Sequence, residues 1–144
     1  PSINQAFTQG LTPEIRTNFK VAPNVRLRYR YSVTDNTQGN RKTKFIVKSP
    51  NIEFDAYILE KVTFVTDYSF TRQEVGNDQQ SFQNWNAGVT YRDNKDSKWE
   101  FELKASNLLN IDAQVRNSSN SFSVLNSQTF IQPRFITFRA VYNL

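Results

Sequence analysis

The sequence predicts an all-β fold, an antiparallel transmembrane β-barrel wall of about seven strands, on the strength of three observations. Apolar residues recur at every second position in stretch after stretch, which places them on one face of a pleated strand. The connections between these stretches alternate short and long, and the stretches approach the roughly 9 to 11 residues with which a tilted strand crosses a bilayer. Finally, a polar chain of 144 residues, 38% hydrophobic, keeps 14% aromatic residues, Phe 12, Tyr 6 and Trp 2, and places them at selected positions.

The first stretch, 11–22, sets Ile15, Thr17, Phe19 and Val21 on one face and Glu14, Arg16, Asn18 and Lys20 on the other, and closes at the Pro23-Asn24 corner. The second, "VRLRYRYSV", has Val25, Leu27, Tyr29, Tyr31 and Val33 opposite Arg26, Arg28, Arg30 and Ser32, so the two are expected to form a hairpin. A polar segment then leads to a third strand near 52–59, with Ile52, Phe54, Ala56 and Ile58 opposite Glu53, Asp55 and Tyr57, and Pro50 marking a bulge or its outer limit. A tight return near Glu60-Lys61 begins the fourth, which aligns Val62, Phe64, Thr66, Tyr68 and Phe70. The fifth carries Trp85, Ala87, Val89 and Tyr91, and the sixth Trp99, Phe101, Leu103 and Ala105. A long Asn/Ser-rich segment follows, and the seventh is the closing row Ile136, Phe138, Ala140, Tyr142 and Leu144, with Thr137, Arg139, Val141 and Asn143 opposite. Short turns are thus expected near 22–24, 59–61 and 93–98, and long loops near 35–51, 72–81 and 110–129.

With the short turns on one side, Tyr91, Trp99 and Tyr142 fall near that side, and Tyr31, Tyr68, Phe70 and Trp85 toward the other. Two aromatic belts separated by small aliphatics are what the two membrane–water interfaces of a barrel select. The competing reading, aromatic residues in the core of a soluble sandwich, gives no reason for the alternation of short and long connections.

Composition narrows the chemistry. Mean hydropathy is −0.63, and no stretch approaches the roughly 18 to 20 consecutive apolar residues of a membrane helix. The absence of cysteine and histidine removes disulfides, thiolate metal sites, the commonest metal ligand and the commonest general base; neither a metal nor a cofactor is expected. The carboxylate pairs Glu53 with Asp55 and Glu100 with Glu102 are i, i+2 on strands and read as wet surface, with no nucleophile beside them, so no enzyme is predicted. The net charge of +5 and the stretch "RLRYRY" suggest nucleic acid, but period two sends Arg26, Arg28 and Arg30 to one face and Tyr29 and Tyr31 to the other, so one nucleic acid could not meet both.

At Asn107-Leu108-Leu109-Asn110, then Pro133-Arg134 and the terminal alternation, the sequence resembles the end of a TonB-dependent outer-membrane receptor of the β-barrel families abundant in Bacteroidota. The resemblance covers the whole chain as pattern and its last third as motif. Leu144 stands where such receptors usually end in Phe. The resemblance implies a bacterial outer-membrane location, a barrel-insertion signal in Ile136, Phe138, Ala140, Tyr142 and Leu144, and outer-membrane lipid against that row. It further implies that residues 1–144 are the C-terminal part of a larger barrel, with 1–10 in an extracellular loop, the long loops extracellular and the short turns periplasmic. An odd strand number and a first residue other than Met agree with that expectation. The remaining barrel and a plug are then the partners, with TonB and a surface lipoprotein as further ones, and the function is uptake of a nutrient. Arg16, Lys20, Arg26, Arg28 and Arg30 are read as a basic strip facing the lumen, suited to an acidic plug face or an anionic substrate. A barrel serving as a structural or secretion-associated subunit, and more remotely a soluble β-sandwich binding module, are the alternatives.

Overall fold

The computed structural model describes the backbone of residues 4–20, 23–94, 96–119, 124–130 and 132–143, and the side chains of the same residues apart from 4 and 113–130. Leu144, Val21 and Ala22 lie outside the described residues. The elements are β1 (Asn4–Leu11), β2 (Glu14–Arg16), β3 (Asn24–Gln38), β4 (Arg41–Ile58), β5 (Val62–Val75), β6 (Asp78–Tyr91), β7 (Trp99–Ser106), β8 (Ala113–Ser119), β9 (Val124–Phe130) and β10 (Phe135–Tyr142). No helix occurs among the described residues. One eight-stranded antiparallel sheet runs β1-β3-β4-β5-β6-β7-β10, with β2 also on β3, and β8 and β9 form a separate hairpin.

Four expectations need correcting, three of them about where strands and loops fall. Segments 35–51 and 72–81 are not loops but continuous strand, broken only by two-residue turns at Gly39-Asn40 and Gly76-Asn77. Gly39 (φ 58°) and Gly76 (φ 59°) take the first turn position, where a two-residue hairpin of type II′ calls for positive φ. Above the apolar rows these hairpins are mostly polar on both faces, and their apolar run Phe45-Ile46-Val47 is continuous, so no alternation marks them. Second, the stretch 11–22 is not one strand. Thr12-Pro13 interrupts it, β1 takes up residues expected in a loop, and only 14–16 pair with the lower end of β3. Pro13 has no N–H to offer but still accepts one from Tyr29 (3.0 Å). Third, the segment 110–129 contains the β8–β9 hairpin.

Pro50 neither ends β4 nor bulges it. The β3 ladder runs unbroken from Asn24↔Asp55 to Gln38↔Arg41, while pairing with β5 lapses between Asn51↔Ser69 and Lys48↔Arg72 and resumes in the same register. The gap is bridged on the polar side by Ser49 Oγ and Thr71 Oγ1 at 2.9 Å. At the opposite end of the same strand, Leu59 (φ 53°) and Glu60 (φ 56°) turn β4 into β5, closed by Lys61 N–H to the Ile58 carbonyl (3.2 Å).

The sheet has almost no core. Among the described residues the only buried apolar side chains are Phe45 and Ala56. The accessible surface is 10679 Å², whereas a compact monomer of this mass exposes about 7,700 Å². The excess arises because a single layer leaves both faces open.

Candidate functional site

Register decides what each face carries. On one face, cross-strand rungs place Tyr142 beside Trp99; Ala140, Phe101 and Tyr91 together; Phe138, Leu103 and Val89 together; and Ile136, Ala105 and Ala87 together. Continuing across the sheet, Trp85, Tyr68, Ile52 and Leu27 share a rung, as do Val89, Phe64 and Ala56. Below its charged upper end the face is largely apolar across the sheet, and no second layer of described residues lies over it: Ile136 is 68% exposed, Phe138 66% and Ile15 72%. Two of the polar atoms on it are satisfied within the sheet, Trp85 Nε1 by Thr66 Oγ1 (2.9 Å) and Tyr68 Oη by Gln83 Oε1 (3.1 Å).

The ends of this face differ in kind. At the lower end Tyr142 tilts against Trp99 with centroids 4.9 Å apart, and Lys98 Nζ lies 5.7 Å from the Tyr142 ring centre. Nearby, Lys61 Nζ donates to Asp93 Oδ1 (2.6 Å) and ties two neighbouring turns, raising the lysine and lowering the aspartate pKa through that hydrogen bond and the attraction behind it. At the upper end the rings give way to charge. Lys48 Nζ (3.1 Å) and Arg72 Nε (3.0 Å) both meet Glu74 Oε1.

The opposite face is polar and ion-paired. Arg26 binds Glu53 (2.8 Å) and approaches Glu14 (3.5 Å), while Arg28 binds Glu14 (2.9 Å). Arg139 binds Glu102 (2.9 Å). Between these clusters lies a shallow concavity of about 460 Å³, with Val65 and Gly88 at its floor and Asp55, Asp67, Asn86 and Lys104 around it. Asn86 Nδ2 donates to Asp67 (2.9 Å) and Asn24 Nδ2 to Asp55 (3.2 Å). Every opposed pair here is more than a quarter exposed, so each fixes side-chain direction more than it adds stability.

Asn107-Leu108-Leu109-Asn110 is a joint. Asn107, 4% exposed, sits at φ 51° and Asn110 at φ 54°. Asn107 Nδ2 donates to the carbonyls of Ile111 (2.8 Å) and Gln132 (3.0 Å), and its Oδ1 accepts from Ile111 N–H (2.9 Å). Asn110 Oδ1 accepts from Arg134 N–H (3.1 Å). The motif therefore ends β7 and holds the chain just before β10. Asn tolerates the left-handed conformation and offers both a donor and an acceptor, which accounts for both ends of the motif.

Of the residues expected to act together, Ile136, Phe138, Ala140 and Tyr142 form one row on β10. Tyr68 and Trp85 share a rung, and Tyr31 and Phe70 lie on adjoining rungs. Arg16 lies opposite Arg26, and Arg30 opposite Ser49, on the face of Arg28, while Lys20 stands in the bend after β2. Two members of this strip, Arg26 and Arg28, are neutralised by Glu14 and Glu53. The role of Glu14 depends on the Pro13 break that sets the β2 register, a tertiary detail that periodicity does not carry. No protein-family model, curated protein or solved structure matches the chain.

Proposed function

We propose that this chain forms part of the wall of a bacterial outer-membrane β-barrel, of the TonB-dependent receptor type, that takes up a nutrient. One observation carries the membrane reading: a single antiparallel sheet with a largely apolar face running from edge to edge and no layer of described residues over it. A soluble sheet buries such a face against a second layer, and lipid is the other medium that can cover it. On β5 the apolar row from Val62 to Phe70 spans about 27 Å along the strand, and a strand tilted by about 40° raises that by about 20 Å, near the roughly 25 Å band of such barrels. The polar face then lines the lumen. The open edges at β1, β2 and β10 call for further strands, because unpaired edge groups in lipid cost several kcal/mol each. The rest of the barrel, a plug, TonB and a surface lipoprotein are the partners this reading supplies.

The receptor type is favoured by the Asn107-Leu108-Leu109-Asn110 joint and the closing row, which resemble those of that family. The test is the intact mass of the native polypeptide carrying this sequence, taken from detergent-extracted outer membranes, with its gel migration before and after boiling. A mass several times 16.8 kDa and a heat-dependent shift are expected. Recovery in the detergent-free soluble fraction would remove the membrane reading, and a membrane-bound product with no plug sequence upstream would remove the receptor reading alone.

A further inference from the structure

A run of positive charge that outnumbers its carboxylates lies on the apolar side of the sheet, above the rings. Even-numbered positions of β4 share the face of Ile52, and they read Lys42, Lys44, Ile46 and Lys48; Arg72 of β5 pairs across from Lys48. The carboxylates on the same face of these hairpins are Asp35, paired across from Lys44, and Glu74. Four cations thus face two carboxylates. Lys48 and Arg72 share a single oxygen of Glu74, so neither is fully neutralised, and Lys42 and Lys44 have no ion pair among the described residues. Arg72 is held in place by donating Nη2 to Gln79 Oε1 (2.5 Å), and it and Lys48 remain about two-fifths exposed.

Beneath these charges the same face is hollowed. A shallow apolar cleft of about 440 Å³, open to the surface, is lined by Ile52, Thr66, Tyr68, Gln83, Trp85 and Leu109. Because Trp85 and Tyr68 direct their polar atoms to Thr66 and Gln83, the cleft offers hydrocarbon to a ligand. From Tyr68 to Arg72 is four residues of one strand, about 13 Å. A cation pair set one short spacer above an apolar slot matches an amphiphile with a phosphate at one end and a chain at the other. Guanidinium and ammonium groups are suited to phosphate oxygens, whereas an acidic protein loop would find no use for the slot.

We propose that this face binds a phosphate-bearing anionic lipid, its phosphate held by Lys48 and Arg72 with Lys44 beside them, and an acyl chain in the cleft of Ile52, Tyr68, Trp85 and Leu109. The inference rests on the reading of the apolar face as lipid-facing. It goes beyond general solvation by lipid in assigning a headgroup chemistry and a fixed position.

The experiment is native mass spectrometry of the detergent-purified native polypeptide, titrated with lipid A, with phosphatidylcholine as the zwitterionic control and inorganic phosphate as competitor. Lys48→Gln with Arg72→Gln should weaken lipid A retention about tenfold and leave phosphatidylcholine unchanged, and Glu74→Gln, which frees both cations, should strengthen it. Trp85→Ala should weaken both lipids. Unchanged lipid A retention in the double variant overturns the proposal even if Glu74→Gln folds normally. So does displacement by millimolar inorganic phosphate, which would mark a site for the free anion. Purification without detergent would instead fail the underlying membrane reading, and it would be seen before any lipid is added.

Discussion

Asn107 shows how much a single side chain can hold. Its amide makes three hydrogen bonds to backbone on two sides of the β8–β9 hairpin, and its own φ of 51° lies where a side chain with a Cβ is disfavoured. Asn107→Ala deletes those bonds and strands the Ile111 N–H, so a loss of about 2 to 4 kcal/mol is expected, with the backbone strain retained. Asn107→Gly loses the same bonds but relaxes the backbone, and should be better tolerated than Ala by about 1 kcal/mol. Urea unfolding of the vesicle-reconstituted protein, followed by tryptophan fluorescence, ranks the two. If Ala matched the parent, or exceeded Gly in stability, the joint would have no such role. The motif was legible in the sequence as four letters, yet its partners were not. Gln132 and Arg134 are more than twenty residues away, and no local rule brings them to it.

At the scale of the strand, legibility followed polarity. Where one face is apolar, alternation marks every residue, and the rows of Val25 to Val33, Val62 to Phe70 and Trp99 to Ala105 stand in the structure on the face that period two assigns them. In the upper halves of β3, β4, β5 and β6 polar residues occupy most positions on both faces and the few apolar ones, such as Phe45, Ile46 and Val47, follow one another without alternation, so these segments read as loop. The surviving signal there was the pair of Gly-Asn dipeptides at 39–40 and 76–77, a hairpin cue that outlasts the loss of alternation. The two faces of one strand should therefore respond differently to charge. Leu103, on the rung of Val89 and Phe138, lies midway along the apolar band, and Lys104 next to it looks onto the polar concavity. Leu103→Arg is expected to cost about 2 to 4 kcal/mol in a bilayer, and Lys104→Gln well under 1 kcal/mol. Reversible folding into vesicles measures both; equal penalties would mean that the faces are not in different media.

At the scale of the whole molecule the sheet has an open edge at β10, and the backbone of that strand says where a further strand would pair. Asn143 donates its N–H to the Lys98 carbonyl (2.7 Å), which identifies odd-numbered positions as those whose amides point toward β7. Antiparallel pairing alternates this direction residue by residue. Phe135, Thr137, Arg139 and Val141 are thus paired inward, and the amides of Ile136, Phe138, Ala140 and Tyr142 point to the open edge. The row whose side chains form the apolar face is also the row whose backbone seeks a neighbour. In lipid, an edge donor without an acceptor costs several kcal/mol, so a further strand should lie there in the native protein. Hydrogen exchange alone cannot decide this, because lipid shields an unpaired amide from water. Scalar coupling through the hydrogen bond, from each of these four nitrogens to an acceptor carbonyl carbon, registers only a true partner. Couplings at all four positions are expected from isotope-labelled native protein in detergent. Their absence, with couplings intact at Thr137, Arg139 and Val141, would mean that β10 ends the sheet and that no barrel closes along this edge.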